Sequence, residues 1–477
     1  MALEVVIVVS PLQKLKDLKL SQDLPLNEDT LSQLKERHSK KSEKSVDFFE
    51  SPDRAIVWLG DGAEVSTYEL HRAAQNSINK YLKGSAQATV RLVLHRLPQR
   101  RVAFWAEALG VLSQTLLHQT PRWGLKSNEK REHIWHVDRS FRQPFESGVL
   151  QGRAMCGVAY LAELPGNLLR PDDYRSRVFE DLKNLRKESQ GQIQFEFWDQ
   201  SKLSSLSAGA FLSVIAAEPK SLGGVLKATY RPKKRSKFQL SLVGKGLCFD
   251  TGGYNLKTGT YMSGMHQDMI GSAVALESFK LLAREDYPGE LHLWMALAEN
   301  HISPTAFKCN DVVISASGRS IEVVDTDAEG RMVLADTLHF ATKDKPDFVV
   351  DFATLTGASI RALDTRRSAL FSNRPEWLEK VRKIGDRIGE RVWPFPIDSD
   401  DFESLKSEVA DVKQCADHNN CDHIFAAAFL SQFVNEIPWV HVDLSASKNK
   451  GGLGLMPHAA TGFGVRLARA LAWELVS

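Results

Sequence analysis

The chain has 477 residues, 43% of them hydrophobic and 25% charged, with a formal net charge of +2. That length supports a substantial buried core and more than one domain, and near-neutrality gives no long-range field to draw in nucleic acid or a membrane surface. The five cysteines, Cys156, Cys248, Cys309, Cys415 and Cys421, are scattered as reduced thiols of a cytosol-like compartment are, and no apolar run is long enough to span a bilayer.

In chain order, residues 3–9 read as a buried strand rather than a signal peptide, since Glu4 interrupts the run and no basic segment precedes it. Residues 35–41 mix both charge signs, as a solvated face does. Residues 55–59 and 88–94 are strand-like. Residues 68–82 and 102–117 carry helical patterning, and the alternation predicts a small α/β domain over residues 1–140. His133 and His136 have no third ligand nearby and read as packing or solvent-facing side chains. Residues 141–152 contain Pro144 and Gly148, lack a clear period and read as a linker. Helical patterns follow over 151–164 and from Pro171 to Lys187, and residues 193–198 read as a strand. The basic run 231–237 reads as a solvated hairpin or turn between strand-like segments 225–230 and 238–243.

The chemistry begins in residues 240–257, a strand running into a glycine-rich loop that carries Lys245, Asp250 and Lys257. The P-loop pattern Gly-x4-Gly-Lys-Ser/Thr is absent, which sets aside a phosphate cradle. Asp268 follows, ahead of an apolar helical stretch. Residues 324–334 then read Val-Asp-Thr-Asp-Ala-Glu-Gly-Arg-Met-Val-Leu, with Asp327, Glu329 and Arg331 placed between a strand and a helix. Alone, that stretch is a helix cap with Asp327 as N-cap. If Asp250, Asp268, Asp327 and Glu329 share one site, burying their charge is prohibitive without neutralisation. Two divalent cations would supply it, and oxygen ligands suit Mg, Mn or Zn. Lys245 would join as a neutral amine. Lys257 and Arg331 would remain as cations facing a reacting carbonyl or phosphoryl group.

Gly244-Lys245-Gly246, Phe249-Asp250-Thr-Gly-Gly253, Lys257, Asp268-Met269 and Asp325-Thr-Asp-Ala-Glu-Gly-Arg331 closely resemble the leucyl (cytosol) aminopeptidase family of metallopeptidases. The resemblance continues through Ala353-Thr-Leu-Thr-Gly-Ala358, Ala426-Ala-Ala-Phe-Leu430 and Thr461-Gly-Phe-Gly-Val-Arg466. It implies an α/β fold: a small N-terminal α/β domain, and a larger catalytic domain over residues 153–477 with a central mixed sheet flanked by helices. It implies a metal-dependent exopeptidase that releases N-terminal amino acids, leucine-like ones preferred, by attack of a water bridging two metals. Asp250, Asp327 and Glu329 match the tighter Zn- or Mn-type site, and Lys245, Asp250, Asp268 and Glu329 the exchangeable one. Lys257 would polarise the scissile carbonyl, and Arg331 would hold a bicarbonate acting as general base. Met265, Thr354, Leu355 and Gly357 would line the pocket for the first side chain. The family assembles as cytoplasmic homohexamers that act on peptides, with no membrane association, and some of its members also bind DNA.

The chain also departs from the family pattern. Asp325 replaces an asparagine, and either caps the loop or tunes the site. Ile270 stands where glycine is usual. Residues 414–423 replace a glycine-rich loop and include Cys415, His418, Cys421 and His423, read as a polar rim loop in preference to a structural zinc site. Two alternatives stay open: a DNA-binding or scaffold role of the same fold, and a dipeptidase or cysteinylglycinase specificity.

Overall fold

The structure, a computed structural model, describes residues 3–10, 29, 32–33, 36, 45–51, 54–60, 65–83, 85–124, 130–218, 222–233, 236–417 and 420–477. The predicted solvated run at 35–41 therefore falls almost wholly outside the described residues. The chain forms two compact units. The first comprises residues 1–156, 386–389 and 450–461, and the second holds the remainder.

The first unit is built on a five-stranded sheet of order β2-β3-β1-β4-β5, made from β1 (Leu3–Ser10), β2 (Ser45–Ser51), β3 (Arg54–Gly60), β4 (Gln87–Leu94) and β5 (Glu132–His136). Val5, Val6, Ile7, Val8 and Val9 are all fully buried. An unbroken apolar run of this kind is what a central parallel strand covered on both faces requires. Only β2 runs antiparallel to its neighbour. Helix Thr67–Leu82 starts on a capping box between Ser66 and Glu69, which satisfies two orphan N–H groups reciprocally. His133 is buried beside the Ser85 carbonyl, and burial lowers its pKa.

Residues 141–152, read from the sequence as a linker, lie in a helix from Arg142 to Ala162. Pro144 sits in its first turn, where its missing N–H costs nothing. Gly148 is a packing position: a Cβ there would lie 2.0 Å from the Glu107 carbonyl oxygen, and one on Gly110 would lie 2.1 Å from that of Phe145. Helices Gln99–Thr115 and Arg142–Ala162 touch backbone to backbone, and glycine at the crossing makes that contact feasible.

The second unit contains an eight-stranded mixed sheet of order β14-β13-β16-β12-β8-β9-β7-β6. Its strands are β6 (Gln192–Trp198), β7 (Gly224–Arg231), β8 (Gln239–Asp250), β9 (Glu290–Asn300), β12 (Phe348–Ala353), β13 (Ser368–Ser372), β14 (Val392–Pro394) and β16 (Trp439–Asp443). A small second sheet joins β10 (Val312–Ile314), β11 (Ser320–Glu322) and β15 (Val412–Lys413). Strands β16, β12, β8 and β9 are mutually parallel. Their carboxyl ends therefore open on one edge, where ligands bind in open α/β sheets.

Helices cover both faces of β8. A Cβ on Gly244 would meet the Ser272 Cα at 2.4 Å, so this position faces helix Ile270–Arg284. A Cβ on Gly330, in helix Glu329–Lys343, would meet the Lys245 side chain at 2.5 Å. Successive strand residues point to opposite faces, so the two helices do too. The basic run 231–237 joins β7 to β8, and both strands pair with β9 rather than with each other. It is a crossover and not a hairpin. No described helix is long and apolar enough to cross a membrane.

Candidate metal centre

Strand β8 delivers Lys245 along its length and Asp250 at its end, opposite Asn300 at the end of β9. The chain then turns through Gly252 and Gly253, whose φ values of +84° and +62° suit glycine. This turn aims the Gly252 N–H at Asp250 Oδ1, at 2.9 Å. Glycine at 253 also lets the loop approach Thr326, where a Cβ would lie 3.0 Å from its hydroxyl. The Thr326 hydroxyl donates to the Gly252 carbonyl at 2.7 Å and accepts from the Asn255 N–H at 2.8 Å. One threonine thus ties the loop after β8 to the acid-bearing turn Thr326–Ala328.

That turn is capped by Asp325, whose Oδ1 accepts from the Asp327 N–H at 2.8 Å. The cap pins the Asp327 backbone N–H, and helix Glu329–Lys343 begins at Glu329. Asp268 follows the short turn Met265–Gln267 and accepts from the Thr354 hydroxyl at 2.6 Å. Ile270 is buried at the start of its helix. The close approach falls on Gly271, where a Cβ would meet the Phe352 carbonyl oxygen at 2.1 Å.

These elements bring the acids together. Carboxylate oxygens of Asp250, Asp327 and Glu329 all lie within 4.8 Å of one another. Lys257 Nζ bridges Asp250, at 2.8 Å, and Asp327. Lys245 Nζ bridges Asp268, at 2.8 Å, and Glu329, at 3.0 Å, and donates to the Thr354 carbonyl at 3.2 Å. Two ammonium groups therefore face four carboxylates, and all but Lys257 and Asp327 are buried.

Burial pushes the Asp268 carboxyl up to about 6, and neighbouring Asp250 adds to the burial effect in holding Asp327 at about 7 and Glu329 at about 8. Burial alone would lower Lys245 and Lys257. The surrounding carboxylates outweigh it and hold both above the usual lysine range. The cluster is thus short of positive charge. Its convergent, buried oxygen donors are what a divalent cation with oxygen ligands requires, so the donor set fits a metal.

Sequence reasoning did not single out Asn300. Its Nδ2 donates to Asp250 Oδ1 at 2.9 Å and to the Thr326 carbonyl at 3.0 Å, orienting one acid against the loop of the others. Asp422, also missed, places both carboxylate oxygens on Nη2 of buried Arg331. Of the rim-loop candidates, Cys415 is buried and its thiol pushed up to about 12, Cys421 is exposed, and His423 packs edge-on against Phe395. His418 lies outside the described residues. Among the described residues the Cys and His side chains of this loop form no metal-ligand group.

The expected pocket residues are less tightly joined. Thr354 touches Asp268, the Leu355 N–H donates to Asp443 Oδ1 at 3.0 Å, and exposed Gly357 opens helix Gly357–Leu363. Met265 begins its short turn, and Lys448 Nζ lies 3.2 Å from where a Cβ on the preceding Gly264 would stand. Lys448 is a cation beside this wall that the sequence reading did not anticipate.

The catalytic-domain model of the cytosol aminopeptidase family matches residues 158–468. A probable cytosol aminopeptidase of Aquifex aeolicus is 31% identical over 430 residues, covering 88% of this chain and 84% of the relative. One from Geobacter sp. strain M21 is 37% identical over 423 residues, covering 86% and 84%. Among solved structures, the bottromycin maturation enzyme BotP in complex with Mn superposes with a TM-score of 0.82 at 26% identity, covering 100% of both chains.

Proposed function

The chain belongs to the cytosol aminopeptidase family and is a metalloaminopeptidase-type hydrolase, and from that premise we propose that it removes N-terminal residues from peptides at a two-metal centre. The observation that carries this reading is the convergence of Asp250, Asp327 and Glu329 within 4.8 Å, in a cluster that two lysines leave under-neutralised.

Asp250, Asp327 and Glu329 would hold one cation, and Lys245, Asp250, Asp268 and Glu329 the other. Bound divalent cations, Zn or Mn, supply Lewis acidity toward the scissile carbonyl and lower the pKa of the attacking water; Mn is the metal in the BotP complex. Lys245 would take part as a neutral amine, the proton it now shares between Asp268 and Glu329 being released to solvent as the cation binds. With the charge of Asp250 and Asp327 neutralised, Lys257 would be released from them, and its ammonium would meet the negative charge that develops on the carbonyl oxygen. Asn300 keeps Asp250 in place throughout. The free α-amine of the substrate, as the neutral base, would bind the cation held by Lys245, Asp250, Asp268 and Glu329, which would confine cleavage to the first peptide bond.

The wall of Met265, Thr354, Leu355 and Gly357 receives the first side chain. Its apolar members favour leucine-like residues, with about 1–3 kcal/mol of selectivity per methylene. Homohexameric assembly in the cytoplasm completes the reading and rests on family membership alone.

The test is a panel of leucyl, methionyl and cysteinyl-glycine substrates assayed with Mn, with Zn and after strong chelation. Release of free N-terminal residues that depends on added metal is expected. Activity that survives chelation sinks the mechanism, and a strict restriction to dipeptides or to cysteinyl-glycine replaces the specificity.

A further inference from the structure

Strand β16 ends at Asp443, level with Ala353 at the end of β12, on the edge where the acids converge. The short turn Ser445–Ser447 follows, and Lys448 comes next. Its backbone is held on both sides. The Leu444 N–H donates to the Ala353 carbonyl at 2.7 Å, and the Ser445 hydroxyl to the Arg367 carbonyl at 2.7 Å. Beyond Lys448, Asn449 Nδ2 donates to the Thr365 carbonyl at 2.9 Å. A side chain on a base pinned in this way is a positioned group.

That side chain reaches the approach to Asp268. Its Nζ lies 3.2 Å from where a Cβ on Gly264 would stand, and Gly264, at φ +85°, opens the turn Met265–Gln267 that leads into Asp268. Lys448 is exposed, and among the described residues it makes no hydrogen bond or ion pair. Enough protein surrounds the ammonium for burial to lower its pKa, with Asp268 partly opposing. His266 feels the same charge, which adds to burial in lowering its pKa. Lys448 is thus a cation beside the cluster, open to solvent and without a bound anion. Arg361 brings a second cation to the same side of the unit, with Nη1 3.4 Å from where a Cβ on Gly357 would stand.

Charge and position together say what this cation meets. With two divalent cations bound and Lys245 neutral, the four carboxylates are balanced, and Lys257 and Lys448 remain positive. Lys257 stands between Asp250 and Asp327, whereas Lys448 stands on the side of Asp268. The substrate's α-amine is assigned to the Asp268 side as well. The group within reach of Lys448 is therefore the first side chain rather than the residue that leaves.

We propose that Lys448 is a specificity-determining residue that receives a carboxylate on the first side chain, so that N-terminal glutamate and aspartate are released as well as neutral residues. This rests on the metalloaminopeptidase reading of the same site.

The experiment compares glutamyl substrates with their glutaminyl isosteres on the metal-loaded full chain. Wild type favours glutamyl about tenfold in kcat/KM, the effect of one accessible charge pair. Lys448→Met loses that preference, and Lys448→Glu reverses it. Calorimetry with free glutamate and free glutamine is a readout independent of turnover. Wild type binds glutamate about tenfold more tightly, and Lys448→Met binds the two alike. Leucyl-glycine against leucyl-glycinamide tests the other source of a carboxylate, and their ratio is the same in wild type and Lys448→Met.

Equal wild-type rates on glutamyl and glutaminyl substrates overturn the inference. So does a preference that survives in Lys448→Met, or an effect of that variant confined to leucyl-glycine, which assigns Lys448 to the leaving residue. If wild type hydrolyses no substrate with either metal, the aminopeptidase reading fails, and calorimetry still decides whether Lys448 receives a carboxylate. If Lys448→Met does not fold, the wild-type comparison and Lys448→Glu decide it.

Discussion

Glu329 and Asp336 lie two turns apart on the same helix, both buried, and burial pushes one up to about 8 and the other to about 7. Their partners differ. Asp336 accepts from the Phe211 N–H at 2.8 Å and the Ala316 N–H at 2.7 Å. Glu390, also held at about 7 by burial, accepts from the Gly464 and Leu467 N–H groups at 3.0 Å each. Backbone amides cannot withdraw without local unfolding, so these two acids are structural ties. Glu329 instead meets the ammonium of Lys245 at 3.0 Å, whose proton an incoming cation can displace. A raised carboxyl pKa therefore does not by itself mark a site. What distinguishes the cluster is that four acids converge on two shared lysines.

The contrast breaks most visibly in activity. Lys257→Ala and Asp327→Ala are each expected to cut kcat for release of N-terminal leucine by about 10²–10³-fold or more, the range for losing a donor to developing charge. Circular dichroism should show both variants folded. Asp336→Ala should keep the wild-type rate per folded molecule. Comparable rates in the Lys257 and Asp336 variants would erase the distinction between the two kinds of acid.

Stability should invert the order. Asp336→Ala leaves one buried and one part-buried N–H group unpaired, so denaturant unfolding should report a loss of about 2–3 kcal/mol. Metal should not restore it.

Glu390 sharpens the comparison through pH. Its folded pKa, about 7, stands above the ordinary 4.5. Between those values the folded state keeps a proton that the unfolded state has released. Its contribution is fully present below pH 4.5 and is lost as pH rises through 7, by about 3 kcal/mol in all. Melting curves of wild type and Glu390→Gln across this window should differ in slope, with the variant losing less stability as pH rises. Parallel curves would show that Glu390 does not hold its proton.

The smallest expected effect is at the pocket wall. Lys448→Met removes a cation near Gly264 and Met265 and should raise the ratio of leucyl to glutamyl cleavage by about tenfold, or about 1.4 kcal/mol. An unchanged ratio would place Lys448 outside the path of the first side chain.

Much of the site was legible because its signals are local. Glycine pairs after an apolar strand mark a turn, and alternating acids before a helical stretch mark a strand-to-helix junction. Both readings survive in the turn after β8 and in the one capped by Asp325. The linker reading at 141–152 did not, because Gly148 breaks the helical period for a reason visible only in the helix it crosses. The hairpin at 231–237 gave way to a crossover because strand pairing is a long-range choice.

What the amino-acid order determines here is the stock of groups: the carboxylates, the two lysines, the buried arginine, and the glycines that allow tight turns among them. Which groups meet is decided by the tertiary structure. Asn300 reaches Asp250 because β8 and β9 end in register, and Asp422 reaches Arg331 because a loop far along the chain folds back onto the acid-bearing segment. The physical reason is that hydrogen bonds and ion pairs form only at contact distance, and no local pattern in the chain records who the distant partner will be.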